Sequence, residues 1–179
     1  MGIHAERRCA TVESILNGKS ILAVDDEPDI LEVLEEEILE VAPKCQFEKA
    51  TTYQVASKKL ESGYFDMVIL DIMGVRGFYL LNQAVKRKFQ VAMLTAHSLN
   101  PKSLKRSIEM KARAYLPKEK LGEIVFFLEA ILEESDHLSG WAHQMKQLEE
   151  YFCAHWGEDW RKPEAKFWKE FEKQIAHIK

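Results

Sequence analysis

The sequence predicts an α/β domain built on a five-stranded parallel sheet, followed by an α-helical hairpin. Two observations predict the first part and one predicts the second. Short apolar runs recur along the chain, and each breaks off into a residue with chemistry to offer: Ile21–Val24 into Asp25, Met67–Leu70 into Asp71, Val91–Leu94 into Thr95, and Tyr115–Pro117 into Lys118. Between these runs lie segments whose apolar residues recur at helical spacing, so strand and helix alternate, the pattern of a parallel sheet with right-handed crossovers. After residue 140 the composition shifts, because all four tryptophans (Trp141, Trp156, Trp160, Trp168) fall in the last forty residues.

Taken in order, residues 1–17 carry apolar points at Ala10, Val12, Ile15 and Leu16 and read as a short helix broken by Gly18, with no function assigned. Ser20–Val24 is a strand with both faces covered, hence its near-continuous apolar content. A helix over Pro28–Val41 follows, with Pro28 near its start, Ile30, Leu31, Leu34, Ile38 and Val41 on one stripe, and Pro43 as its stop. Cys45–Ala50 is a short polar strand suited to a sheet edge, and Gln54–Ser62 is a helix stopped by Gly63. The strand Met67–Ile72 runs into the loop Met73-Gly74-Val75-Arg76-Gly77 and a helix from Phe78 to about Lys88. Val91–Ala96 is the fourth strand, after which Asn100 caps and Pro101 starts a helix to about Lys111. Ala114–Pro117 is a short fifth strand, and Leu121–Glu134 is a helix with Ile124, Val125, Leu128, Ile131 and Leu132 on one stripe.

Residues 135–140 read as a linker. Beyond it Trp141, Met145, Leu148, Phe152 and Trp156 recur at spacings of four, three, four and four, and Phe167, Phe171, Ile175 and Ile178 make a second stripe, with Gly157 and Pro163 between. Two helices alone cannot bury two aromatic stripes, so the hairpin must pack on the preceding domain, on a second copy, or on a partner. The expected division is residues 1–18 as an N-terminal extension, 19–135 as the α/β domain and 136–179 as the helical extension.

Composition narrows the field. Apolar residues at 46% and charged residues at 30% describe an ordinary globular chain, and the net charge of −4 specifies no partner. Cys9, Cys45 and Cys153 are odd in number and widely spaced, which indicates neither a disulfide framework nor a zinc site. No stretch approaches the roughly 18 apolar residues of a spanning helix. Cytoplasm is the expected address, with no membrane partner. No glycine-rich dinucleotide fingerprint or phosphate-cradling loop with Gly-Lys-Ser/Thr occurs. A haloacid-dehalogenase-type phosphatase would want a second Asp where Met73 stands.

Ligands of open α/β sheets bind outside the carboxyl ends of the strands, so Asp25, Asp26 and Asp71 converge on one edge. Adjacent carboxylates repel unless a cation neutralises them. For Asp25–Asp29 alone, an acidic loop before a helix N-terminus is the bland alternative. The acid pair, single Asp, Thr and Lys, each at the end of its own strand, resemble the receiver domain of bacterial two-component response regulators.

That resemblance implies a flavodoxin-like, doubly wound sheet of strand order 2-1-3-4-5. It implies that Asp71 accepts a phosphoryl group from a sensor histidine kinase or phosphotransfer protein. Mg²⁺ would be held by Asp26, Asp71 and the backbone carbonyl of Met73, with Asp25 acting through water. Lys118 would stabilise the transferring group, Thr95 would hydrogen-bond the acyl phosphate, and Tyr115 would turn inward with Thr95 and reshape the surface of the fourth helix, fifth strand and fifth helix. Met73 and His97 hold positions that influence hydrolysis of the acyl phosphate. The chain would then be no enzyme beyond Mg²⁺-dependent self-phosphorylation and autodephosphorylation.

The chain departs from the family pattern in two places. The loop after Asp71 is two residues shorter and puts Arg76 at an acidic position, where it either reaches the phosphoryl group or is solvated. Lys118 precedes Glu119 instead of proline, so a trans bond and a shifted ammonium are expected. A pseudo-receiver, a phosphorylation-independent interaction or dimerisation module, is the alternative. Lys102, Lys105, Arg106, Lys111 and Arg113 make the fourth helix and its exit basic, which reads as a solvated face or a site for an acidic partner. Nucleic acid is not the expected partner. A downstream protein or a homodimer contact through the C-terminal helices is.

Overall fold

The computed structural model describes residues 13–96, 100–133 and 137–176. Five strands, β1 (Ser20–Val24), β2 (Gln46–Ala50), β3 (Met67–Asp71), β4 (Gln90–Thr95) and β5 (Ala114–Pro117), form one parallel sheet of order β2-β1-β3-β4-β5. The helices α1 (Pro28–Val41), α2 (Tyr53–Ser62), α3 (Gly77–Lys86), α4 (Pro101–Glu109) and α5 (Ile124–Glu133) alternate with them. Because the strand order reverses after β2, right-handed crossovers put α1 and α5 on one face and α2 to α4 on the other. In keeping with this, α1 packs on α5 and α2 on α3. The doubly wound α/β fold read from the sequence is the one observed.

Burial follows the patterning. Every residue of β3 is buried, as is β1 from Ile21 onward, and Leu31, Leu34 and Ile38 of α1 face inward. β2 is the polar edge strand expected. Helix ends differ from expectation for a local reason. Lys88 and Lys111, read as last helical residues, adopt left-handed φ of 63° and 67° just past α3 and α4. In each case the chain closes back on the last turn, with the Phe89 N–H donating to Ala84 and the Ala112 N–H to Ser107. The helix read from Leu121 begins as a 3-10 stretch, Lys118–Glu123, in which Lys120 leaves helical geometry, and α5 proper starts at Ile124.

The supposed linker is largely helix: α6 (His137–Trp156) starts within it. Of the linker only residues 135 and 136 lie outside the described segments, as do residue 134, Cys9, Ala10, Val12, His97 and Ile178. Of the N-terminal extension, residues 14–17 form a turn whose Leu16 is buried, and Glu13 pairs with Lys44 at 2.9 Å. A connection containing Trp160 and the short 3-10 turn Lys162–Glu164 leads to α7 (Ala165–Ala176). Trp141, Met145, Leu148, Phe152, Trp160, Trp168 and Phe171 are all buried. Trp160 and Trp168, absent from both predicted stripes, form its centre: their rings meet edge to face at 4.7 Å, and Arg161 lies 4.2 Å over Trp160 while pairing with Glu149. The described residues of the two stripes are buried or partly buried within the chain itself, against each other and the sheet domain.

Candidate functional site

Register brings the acids together. Val24 of β1 lies level with Leu70 of β3, so Asp25 and Asp71, each one step further, leave the sheet side by side at the point where strand order reverses. Asp25, Asp26 and Asp71 each offer a carboxylate oxygen within 4.8 Å of the others. Asp25 is fully buried and Asp71 is 5% exposed, whereas Asp26 faces solvent. A cleft of about 270 Å³ opens between Asp26, Glu27, Asp71, Met73, Gly74, Ala96 and Lys118.

Lys118 is the counter-charge. Its Nζ lies 2.8 Å from Asp25 Oδ2, 2.8 Å from Glu27 Oε1 and 3.3 Å from Asp71 Oδ1. Burial opposes the ammonium's charge, but the hydrogen bonds to Asp25 and Glu27 and the field of Asp71 outweigh it and hold its pKa above the ordinary lysine value. Burial raises the Asp25 pKa, partly offset by Lys118 and by the Glu27 N–H, which donates to Asp25 Oδ1 at 3.0 Å. Peptide bonds among the described residues are trans, Lys118–Glu119 included, and the lysine still reaches the acids.

The loop after Asp71 is built around its carboxylate. The N–H groups of Met73 and Gly74 donate to Asp71 Oδ2 at 2.9 and 3.0 Å, fixing the plane of the carboxyl. The Met73 carbonyl accepts from the Arg76 N–H at 3.3 Å and keeps a second lone pair, while the Met73 side chain is exposed. Gly77 is obligatory, since a Cβ there would stand 2.0 Å from the Asp71 carbonyl oxygen. Gly74 presses on Asp26: its Cβ would stand 1.8 Å from Oδ1. Arg76, in left-handed geometry at φ 54°, is exposed and puts its guanidinium 5.6 Å over the Tyr53 ring. It does not line the acidic cleft.

Thr95 ends β4 beside this site. Its Oγ1 is buried, with the Tyr115 hydroxyl close enough to interact with it. Tyr115 is fully buried, its oxygen 2.6 Å from Ser103 Oγ and accepting from the Asn100 N–H at 3.4 Å, so it links β5 to the first turn of α4. Sequence reasoning missed Glu27 as a partner of Lys118 and missed the close approach of Gly74 to Asp26. Glu27 was visible as a third consecutive acid. The Gly74 contact with Asp26 arises between segments and had no local signal, whereas Gly77 closes its own turn on the Asp71 carbonyl.

Residues 21–129 match the family described as response regulator receiver domain. The chain belongs to that family. The receiver fold recurs in a receiver domain protein from Methanospirillum hungatei JF-1 at 24% identity and a TM-score of 0.56, covering 66% of this chain and 98% of that one. The signal receiver domain of a DNA-binding response regulator from Colwellia psychrerythraea 34H aligns at 20% identity and a TM-score of 0.59, covering 65% and 99%. A LuxR-family DNA-binding response regulator from Staphylococcus aureus aligns at 19% and 0.57, covering 64% and 98%. A comparison with curated proteins gives no match. Both α6 and α7 lie beyond the receiver match. No helix among the described residues is long and apolar enough to cross a membrane.

The site suits a hard divalent cation. Its donors are all oxygen, three carboxylates share one small space, and Asp26 stays open to solvent where a cation could keep its waters.

Proposed function

We propose that this receiver, residues 19–135, accepts a phosphoryl group on Asp71 from the phosphohistidine of a sensor histidine kinase or phosphotransfer protein in the cytoplasm. The reading is carried by one observation: Lys118 Nζ reaches Asp25 and Asp71 together while Asp26 remains open beside them. An Asp71 carboxylate oxygen bonds to phosphorus as the phosphorus–nitrogen bond breaks, and the departing imidazole takes up a proton. Mg²⁺ would be held by Asp26, Asp71 and the Met73 carbonyl, with Asp25 through water, and would offset the charge that three carboxylates present to a dianion. Lys118 supplies the second positive charge, from a position its three carboxylate contacts already set. Thr95 offers its hydroxyl to the bound group, and Tyr115 passes the change to α4. Loss of phosphorylation would not by itself require Lys118, Asp25, Asp26 and Asp71 to stay together, which weighs against a pseudo-receiver.

The test is incubation of the full chain with a small phosphodonor and millimolar Mg²⁺, read by intact mass. We expect one Mg²⁺-dependent phosphoryl adduct, absent from Asp71→Asn, and weaker Mg²⁺ binding in Asp26→Ala. A wild-type chain that takes up neither phosphoryl group nor beryllofluoride overturns the reading.

A further inference from the structure

The cations of α4 divide between two flanks of the helix. Lys105 turns to the C-terminal hairpin, where it pairs with Glu164 at 2.9 Å and lies 5.1 Å over the Phe167 ring. Lys102 and Arg106 are exposed and line a groove of about 320 Å³ on the flank toward α3, together with Ile72, Met73 and Phe78. Ile72 is buried and Phe78 half-buried, and Met73, 65% exposed, stands between this groove and the acidic cleft and lines both. The Arg106 guanidinium lies 4.1 Å over the Phe78 ring. Among the described residues neither Lys102 nor Arg106 makes an ion pair, and the single acid of α4, Glu109, turns to Lys105 at 3.7 Å.

Helix energetics disfavour both cations where they stand. Lys102 is the second residue of α4, where the positive end of the helix dipole repels an ammonium, and no acid offsets it in that first turn. Lys102 and Arg106 are four residues apart, so two like charges face each other across one turn. Among the described residues only the Phe78 ring, beneath Arg106, offsets any of this. A guanidinium laid flat on a ring keeps the N–H groups of its edge available, in the geometry that takes a carboxylate through two parallel bonds. At a rise of 1.5 Å per residue the two cations stand roughly 6 Å apart along the helix. An apolar floor with two cations at that spacing complements a segment that offers an apolar side chain flanked by carboxylates. Nucleic acid calls for a longer run of cations that follows its backbone, and this groove supplies two.

We propose that the groove between α3 and α4 docks an acidic, amphipathic segment of a partner protein, with its apolar side chain on Ile72, Met73 and Phe78 and its carboxylates on Lys102 and Arg106. Docking there needs no phosphoryl group, so it is measured on the unmodified full chain without Mg²⁺ or phosphodonor, and its outcome is separate from the reading of Asp71. The probe is a labelled helical peptide of about 15 residues that carries Leu beside two Glu four positions apart, and the control is the same peptide with Lys in place of Glu. Saturable binding of the acidic peptide is expected, with amide shifts gathered at Ile72, Met73, Phe78 and residues 102–106 and an affinity that falls about tenfold in Arg106→Glu. Absence of binding, equal binding of the control, shifts gathered elsewhere or an affinity unchanged in Arg106→Glu overturns the proposal, as does tighter binding of duplex DNA at the same residues. Lys102→Glu separates docking from folding. It ends the opposition to the helix dipole and turns the like-charge pair into an opposite one, so Tm should rise by about 1–2 °C while peptide affinity falls about tenfold. Unchanged affinity in that variant, or a lowered Tm, refutes the proposal.

Discussion

The two edges of the sheet are finished in opposite ways. β2 is left at the surface and protected by charge: Lys49 pairs with Glu35 at 2.6 Å and Glu48 pairs with Lys59, and three of its five residues are exposed. β5 is apolar and fully buried, and its open edge is covered by α6. Both solutions prevent edge-to-edge association, but they differ in what they make possible. A charged edge is inert. A covered edge depends on whatever covers it, so events beneath the cover can be felt by the cover and the reverse.

The largest expected difference between the edges is energetic. Trp141→Ala removes a buried indole and its bond to Ala112, and about 3–5 kcal/mol of stability should go with it, lowering Tm by roughly 10 °C in a thermal melt. A loss of a degree or two would mean that the hairpin is only loosely laid on β5. A smaller effect belongs to the ion pair that closes the hairpin. The Arg161 hydrogen bond holds the Glu149 pKa below the ordinary value, so its contribution is present above pH about 4.3 and fades as pH falls through the lowered folded value. Both side chains are partly exposed, at 36% and 26%, so screening keeps the effect to ~1–2 °C. Melts of wild type and Glu149→Gln should differ at pH 6 and converge in acid. The smallest change is expected at β2, where Lys49→Ala should alter stability by less than about 0.5 kcal/mol in urea unfolding. A larger loss there would erase the contrast between the edges.

Much of this was legible in advance, and particular residues show why. Ile21–Val24 and Met67–Leu70 announced buried strands because a strand covered on both faces needs an unbroken apolar run. Asp25, Asp71, Thr95 and Lys118 were legible because each ends such a run, and strand ends of a parallel sheet share one edge. Helix ends were misread where the signal was a left-handed residue that was not glycine, as at Lys88 and Lys111. The linker was misread because Ser, Asp and Gly are ordinary loop residues by composition, yet packing holds His137 to Gly140 in helix. The fourth-helix cations, read as a solvated face or a docking site, include Lys105, which the hairpin uses, and Arg106, 4.1 Å over Phe78.

By itself the sequence determined the α/β class, the convergence of the acids and the existence of a hairpin with apolar stripes, since these depend on periodicities of two and 3.6 residues that are written locally. Only the tertiary structure decided that α6 closes on β5, that Glu27 shares Lys118, and that Gly74 packs on Asp26. The contacts of Tyr115 with Gln144, of Glu27 with Lys118 and of Gly74 with Asp26 join residues far apart in the chain. Their cause is the shape left open by other elements, and no local pattern encodes that shape.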